Sequence, residues 1–273
     1  MTNTVLLSST QMASFASRGF LRMDAIVPEY INKQFLGDIR YKDGPEIGTP
    51  TIESGKVNNQ TPRIHYRKVM QSSVIPVVKA GTPLDEAYPS GSALRKLIDL
   101  PMVRGAIQSL VGSNPHFDHH FLHMTFPPRF YQGANTPQAA QHTHQDSTID
   151  PRKAFDVQIM YFPHAVTREM GGTRFIPGTH LRAVSEAAIG RYQNIRGQQH
   201  MVCEAGTLLF LHMGIWHGGG LNESEDIRYM FKIRLCPTEP QVRLWNDTDL
   251  PNDHFEQRPI FWTDVNWHSI LTH

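Results

Sequence analysis

Residues 206–235 read GTLLFLHMGIWHGGGLNESEDIRYMFKIRL. An apolar run leads to Trp216-His217, the loop GGGLNESED follows, and a second apolar run opens at Ile227-Arg228. Short runs rich in Leu, Phe, Ile and Tyr, bounded by Gly, Asn and Ser, read as β-strands. Taken as a hairpin centred near Asn222 and Glu223, the stretch sets His217 opposite Arg228. Facing residues on paired strands approach within about 4.5–5.5 Å. An imidazole beside a guanidinium is a poor structural pair. It is a good functional pair when a dianionic ligand lies between them, bound to a metal at one end and to the arginine at the other.

Upstream, HHFLHMTF (119–126), FDVQIMYFPH (155–164) and GTRFIPG (172–178) have the same character. Before Pro115 the pattern differs. STQMASFASRG (9–19) and VPEYINKQFLGDIR (27–40) read as helices on either side of a brief strand, FLRM. Residues 41–61 read as a loop or lid, and RIHYRKVM and SVIPVV as strands, the second at an edge because of Pro76. A helix is expected over 91–112, broken at Pro101. The whole predicts one α+β domain over residues 1–273, mainly a β core, as a sandwich or jelly roll. Its parts are a helical, lid-containing segment (1–115), the core (116–236) and a C-terminal cap (237–273). The segment 41–115 and the tail from 237 are expected to cover the mouth of the core and set specificity.

Hydrophobic residues make up 40% of the chain and charged ones 19%, an ordinary globular balance. With 26 Lys plus Arg against 25 Asp plus Glu, no general attraction to nucleic acid or to a membrane surface is expected. Two cysteines, Cys203 and Cys236, are too few for a disulfide framework or a thiolate zinc site. No apolar run approaches the length of a membrane span, and the first residues lack the basic and apolar regions of a secretory signal. The expected setting is therefore cytoplasmic. The composition leaves the oligomeric state open. The 15 histidines draw the eye to metal chemistry.

Residues 140–150 read AQHTHQDSTID. On an extended strand His142, His144 and Asp146 would share one face. His-x-Asp occurs twice, at His116/Asp118 and at His144/Asp146. Redox iron(II) in oxygenases is held by two histidines and one carboxylate, so a further histidine must come from a distant strand. His217 is the candidate.

With His144-x-Asp146, the distal His217 and Arg228 eleven residues on, the chain resembles the phytanoyl-CoA dioxygenase family of iron(II)- and 2-oxoglutarate-dependent oxygenases. The stretch GGTRFIPGTH (171–180) is similar to that family's Gly-Gly-x-x-x-x-Pro-Gly-Ser-His segment, with Thr179 in the serine position. GTLLF (206–210) is also family-like, and the match is good over about 140–235. The resemblance selects 144/146 over 116/118, because the pair lies a few tens of residues before Pro177. It implies a double-stranded β-helix (jelly roll) flanked by N-terminal helices. It also implies iron(II) on His144, Asp146 and His217, with 2-oxoglutarate held by Arg228, Gln141 and Thr173. His142 is not required, and His180 is expected to hold the loop after it. Arg174, Trp216, Tyr161, His119, His120 and His123 are further residues considered for a substrate pocket.

The implied reaction uses dioxygen and 2-oxoglutarate to oxidise an unactivated C–H bond of a small-molecule metabolite, giving succinate and carbon dioxide. Relatives that halogenate replace the carboxylate ligand by a small residue, so Asp146 favours hydroxylation or a related oxidation. Two other readings stand beside this one. His142-x-His144 suggests a cupin-type metalloprotein, although Thr148 and Ile149 occupy the positions where cupins carry Glu. A non-catalytic ligand-binding member of the same fold is the other.

Overall fold

The computed structural model describes residues 4–39, 75–125, 127–128, 141–146, 156–181 and 195–237. The strand expected at 63–70, the loop or lid at 41–61 and nearly all of the cap at 237–273 lie outside the described residues, as does the start of the edge strand expected at 73–78, whose described part, 75–78, forms no strand.

The N-terminal reading holds closely. Helix α1 (Ser9–Arg18) opens with a capping box: Ser8 Oγ accepts from the Gln11 amide at 3.2 Å, and Gln11 Oε1 accepts from the Ser8 amide at 2.9 Å. It ends at Gly19. Strand β1 (Phe20–Met23) and helix α2 (Glu29–Ile39) follow. The single turn α3 (Leu84–Ala87) precedes α4 (Ala93–Asp99) and α5 (Pro101–Leu110). These last two are the expected helix broken before Pro101. Leu100 is extended at φ −58°, ψ 130°, because a proline disfavours helical geometry in the residue before it.

The strands β2 (His116–Thr125), β3 (Gln141–His144), β4 (Val157–Phe162), β5 (Thr173–Ile176), β6 (Gln199–His200), β7 (Thr207–His212), β8 (Trp216–Gly219) and β9 (Arg228–Cys236) complete two antiparallel sheets. One sheet has the order β1-β7-β4-β9-β2 and the other β3-β8-β5-β6. The N-terminal strand thus joins the larger core sheet, pairing Phe20 with Leu211 and Met23 with Leu208.

Alternation along the larger sheet sorts its residues between two environments. Ile159, Tyr161, Leu208, Phe210, Phe231 and Ile233 face outward into a core shared with the helices. Met160, Phe162, Leu209, Leu211 and Met230 face inward toward the smaller sheet. Helices α4 and α5 belong to the outer layer, where Leu94, Leu97, Ile98, Ile107 and Leu110 are buried. Residues 75–115 therefore pack behind the sheet. The expectation that this part of the segment covers the mouth is corrected: its apolar face is spent on the back of the sheet.

The hairpin reading of 206–235 is also corrected. β8 pairs with β3 and β5, and β9 with β2 and β4, so the two strands lie in different sheets. Both edges of β8 are occupied, and the intervening loop crosses the sandwich. It is fastened on the way. Gly220 donates to Gly171 O at 2.9 Å and Glu223 to Glu169 O at 2.7 Å, while the Asn222 side chain donates to Thr125 O at 2.9 Å. His217 and Arg228 face each other across the sandwich, not across a hairpin.

Two residues considered for a pocket, His120 and Tyr161, are part of the frame. The His120 ring stacks on Tyr88 with Nδ1 2.9 Å from the tyrosine hydroxyl, and burial lowers its pKa to about 4. An unfolded chain binds that proton near 6.5, so between pH 6.5 and 4 the unfolded state holds more protons and stability falls as pH falls. The loss expected from this group is about 3 kcal/mol. Denaturant melts at pH 7 and pH 4 on wild type and His120→Asn should show the variant with the smaller pH dependence; equal slopes would reject the assignment. The Tyr161 hydroxyl donates to Asn32 Oδ1 at 2.5 Å inside the core shared with the helices.

Candidate active site

β8 is the centre of the site. Its His217 pairs with His144 on β3, and two residues on Gly219 is flanked by Gln141 of β3 and Thr173 of β5. His217 and Gly219 point to the same face. Four residues singled out in the sequence thus occupy two adjacent rungs of one sheet surface. The register slips between Gln141 and His144, a bulge that breaks the expected alternation. His142 is exposed in consequence, and its contribution is its carbonyl, which accepts from His144 Nδ1 at 2.8 Å.

His217 is fixed in the same way, donating from Nδ1 to Ile215 O at 3.0 Å. Both rings therefore commit Nδ1 to a backbone carbonyl and aim Nε2 at Asp146, the orientation that suits metal ligation. Although burial works against its charge, the bond to Asp146 raises the His144 pKa, so a metal would displace a proton from that Nε2. Asp146 Oδ1 lies 3.0 Å from His144 Nε2 and 3.5 Å from His217 Nε2. One donor atom from each of the three residues falls within a 4.8 Å cluster, the only such group of three among the described residues. Burial works against the Asp146 charge, but His144, His217 and Lys232 outweigh it and hold the carboxyl well below the usual carboxylate range. Burial also keeps His217 neutral, lowering its pKa to about 4. The donor set, two imidazole nitrogens and one ionised oxygen, suits a divalent transition metal.

The other His-x-Asp pair does not converge. Asp118 binds its neighbour His119 at Nδ1 (2.7 Å) and lies 3.5 Å from Arg234.

From the cluster a cavity runs between the sheets, lined by His217, Gln141, Thr173, His123, Lys232 and Arg228, with Met160 and Met230 supplying apolar wall. Arg228 closes the far end. Its Nη2 donates to Thr125 Oγ1 at 2.8 Å, and its Nη1 to Met170 O at 3.1 Å and to Gly171 O. Its Nε is buried, with no hydrogen-bond partner among the described residues. No carboxylate among the described residues pairs with it, and burial lowers its pKa to about 10, which leaves it charged at neutral pH.

The GGTRFIPGTH stretch builds this frame. Gly171 has φ +61°, and a Cβ there would lie 1.8 Å from Leu221 O. Gly171→Ala is expected to cost more than about 2 kcal/mol and to unseat Arg228, since the atoms it would meet, on Leu221 and Gly220, are all backbone. Thermal unfolding checks the first effect; a wild-type melting temperature would reject it. Gly218 allows close approach, because a Cβ there would sit 2.8 Å from Gln141 O and 2.9 Å from His142 O. Thr179 Oγ1 accepts from the Trp216 amide at 2.9 Å and donates to Ile176 O at 2.7 Å, joining β5 to β8 just before His217. His180 Nε2 donates to Ala16 O at 2.9 Å. It anchors the end of α1; most of the loop after it, which the sequence reading expected it to hold, lies outside the described residues. Of the residues considered for the pocket, His123 lines the cavity; Arg174 and Trp216 alternate with Thr173 and His217 and lie on the other face.

The sequence reading missed Lys232 and Arg234. Lys232 Nζ donates to Asp146 Oδ2 at 2.7 Å; Arg234 binds Asp156 Oδ2 through Nε (2.8 Å) and Nη2 (2.5 Å) and reaches Asp146 O at 3.4 Å. A signal was present. In RYMFKIRLC the cations 228, 232 and 234 all fall on alternate positions of an otherwise apolar strand, so all three face one interior.

Two antiparallel sheets enclosing a His-Asp-His cluster and a buried arginine define the jelly-roll class that includes the iron(II)/2-oxoglutarate oxygenases. The chain belongs to the phytanoyl-CoA dioxygenase (PhyH) family, matching it over residues 56–230. That match begins well before the 140–235 stretch that carries the motifs. Comparison with curated protein sequences gives no match. Solved structures are similar in fold. The non-heme alpha ketoglutarate dependent carbocyclase SnoK from nogalamycin biosynthesis is 16% identical, with a TM-score of 0.55 and 85% of each chain covered. HygX from Streptomyces hygroscopicus, with nickel and 2-oxoglutarate bound, is 13% identical with a TM-score of 0.55, covering 90% of this chain and 92% of its own. EvdO2 from Micromonospora carbonacea var. aurantiaca, complexed with 2-oxoglutarate, is 15% identical with a TM-score of 0.52, covering 96% and 99%.

Proposed function

We propose that this protein is a non-haem iron(II)- and 2-oxoglutarate-dependent dioxygenase that hydroxylates, or otherwise oxidises, an unactivated C–H bond of a small-molecule metabolite in the cytoplasm. In this reading the chain is one oxygenase domain. His144, Asp146 and His217 hold the iron, and Arg228, Gln141 and Thr173 hold the cosubstrate. Iron with 2-oxoglutarate and dioxygen supplies the oxidising power, and succinate and carbon dioxide leave as co-products.

The observation that carries the reading is the pairing of a three-donor cluster on the cavity wall with a buried cation that has no carboxylate partner among the described residues. A dianion with carboxylates at both ends fits that separation of charges. Each residue has a task. His144 and His217 present Nε2 because their Nδ1 protons are committed to backbone carbonyls. Arg228 receives the distant carboxylate on its remaining donor edge, and Gln141 and Thr173, on either side of Gly219, bound the chelating end. Met160 and Met230 keep the wall between them dry. Among the described residues no helix is long and apolar enough to cross a membrane.

The test is to load the protein anaerobically with iron(II), titrate 2-oxoglutarate, and watch for the weak visible charge-transfer band of the chelate. The band should appear in wild type and fail or shift in Asp146→Ala and Arg228→Ala. Iron binding without a band would remove 2-oxoglutarate and leave the cupin-type or ligand-binding reading.

A further inference from the structure

We infer that Lys232 is a positioning residue that commits Asp146 to the metal through one oxygen, a conclusion resting on the metal-site reading above. The two carboxylate oxygens of Asp146 are not equivalent. Both imidazole Nε2 atoms face Oδ1, while Oδ2 accepts from Lys232 Nζ at 2.7 Å. Oδ2 is thereby engaged on the side away from the histidines. A carboxylate without such a donor is free to rotate about its last torsion or to chelate through both oxygens, which would occupy a position that cosubstrate or dioxygen needs.

Asp146 needs help from outside its own sheet. β3 ends at His144, so among the described residues no ladder hydrogen bond fixes the residue two positions on. The anchors come from β9 in the opposite sheet. Lys232 takes the side chain, and Arg234, itself held by Asp156, reaches the Asp146 backbone carbonyl. β9 is paired on both sides, with Phe121 and Met160 as the neighbours of Lys232. The ammonium is also seated 5.3 Å from the centre of the Phe121 ring, and its side chain is 8% exposed. The donor is therefore set by a central strand, while its acceptor lies at a strand end. Rigidity runs from Lys232 to Asp146.

Two effects of the ammonium on metal binding oppose each other, and the sign of the change separates them. Acting only through its charge, Lys232 would repel a dication, and its removal would tighten binding. Acting by orientation, its removal loosens binding, by the ten- to hundredfold typical of residues that orient a ligand. The experiment titrates cobalt(II), which is inert to dioxygen at this step, into wild type, Lys232→Met and Lys232→Arg in competition with a chromophoric chelator. The expected result is a Kd raised at least tenfold in Lys232→Met, an altered cobalt visible band, and substantial recovery in Lys232→Arg. Circular dichroism and melting of the metal-free proteins check the fold. Lys232→Gln, expected to weaken cobalt binding likewise, serves if methionine unfolds the chain. Cobalt affinity equal to or tighter than wild type in either neutral variant overturns the positioning role. Failure of wild type itself to bind cobalt overturns the metal site beneath it.

Discussion

Replacing Asp146 by alanine is expected to abolish iron-dependent turnover and also to lower the stability of the metal-free protein by roughly 3 kcal/mol. The two losses have different origins. The first follows from removing one of three donors. The second follows from Lys232, which is 8% exposed beside an Asp146 that is 10% exposed. Removing one member of a buried pair strands the other, and Lys232 must then lose its proton or draw in water. Arg234 keeps Asp156 and is not stranded. Adding Lys232→Met to Asp146→Ala should therefore return most of the stability while metal binding stays lost. Differential scanning calorimetry with and without iron(II), on both single variants and the double, separates the effects. A double variant that melts no higher than Asp146→Ala would show that the stranded ammonium is not the cause.

Local signals were read correctly and cross-sheet relations were not, for a physical reason. The Ser8–Gln11 box, the break before Pro101 and the apolar runs of β4, β7 and β9 are written in neighbouring residues, and each appears where expected. Short-range chemistry decides them. Which strand pairs with which is decided by burial of whole faces, and the loop GGGLNESED suits a hairpin as well as a crossing between sheets. The family resemblance supplied what spacing alone did not: His144 rather than His116, and Gln141 and Thr173 as neighbours of the cavity. Lys232 escaped because it is meaningful only opposite Asp146, across the sandwich. An interior cation in an apolar strand is nevertheless an energetic anomaly that asks for a partner. Residues 75–115 were misplaced at the mouth because their apolar helix faces do not reveal which side of a sheet they cover.

Arg228→Met is expected to weaken 2-oxoglutarate binding by about 10²-fold or more, while leaving the affinity for the metal close to wild type. Truncating one partner of a buried, hydrogen-bonded charge pair costs about 2–5 kcal/mol. Arg228 is suited to that part because the protein satisfies only some of its donors. Met170 O, Gly171 O and Thr125 Oγ1 take the terminal nitrogens, and Nε stays buried and unbonded. A cation so enclosed, with no carboxylate paired to it among the described residues, stands at a free-energy disadvantage until an anion arrives. If Arg228 takes the distal carboxylate as proposed, the cosubstrate would gain affinity from relief of that disadvantage as well as from contact. Arg228→Lys should recover little. A lysine ammonium cannot span the Thr125 hydroxyl on one side and two carbonyls on the other while offering a donor edge to a ligand. Titration of 2-oxoglutarate into the metal-loaded proteins measures the effect, and the thermal shift caused by saturating 2-oxoglutarate should shrink in parallel. Binding in Arg228→Met within about threefold of wild type, a difference of less than about 0.7 kcal/mol, would move the distal carboxylate away from this end. Among the described residues Lys232 would then be the remaining Lys or Arg on the cavity wall, and it is already engaged by Asp146.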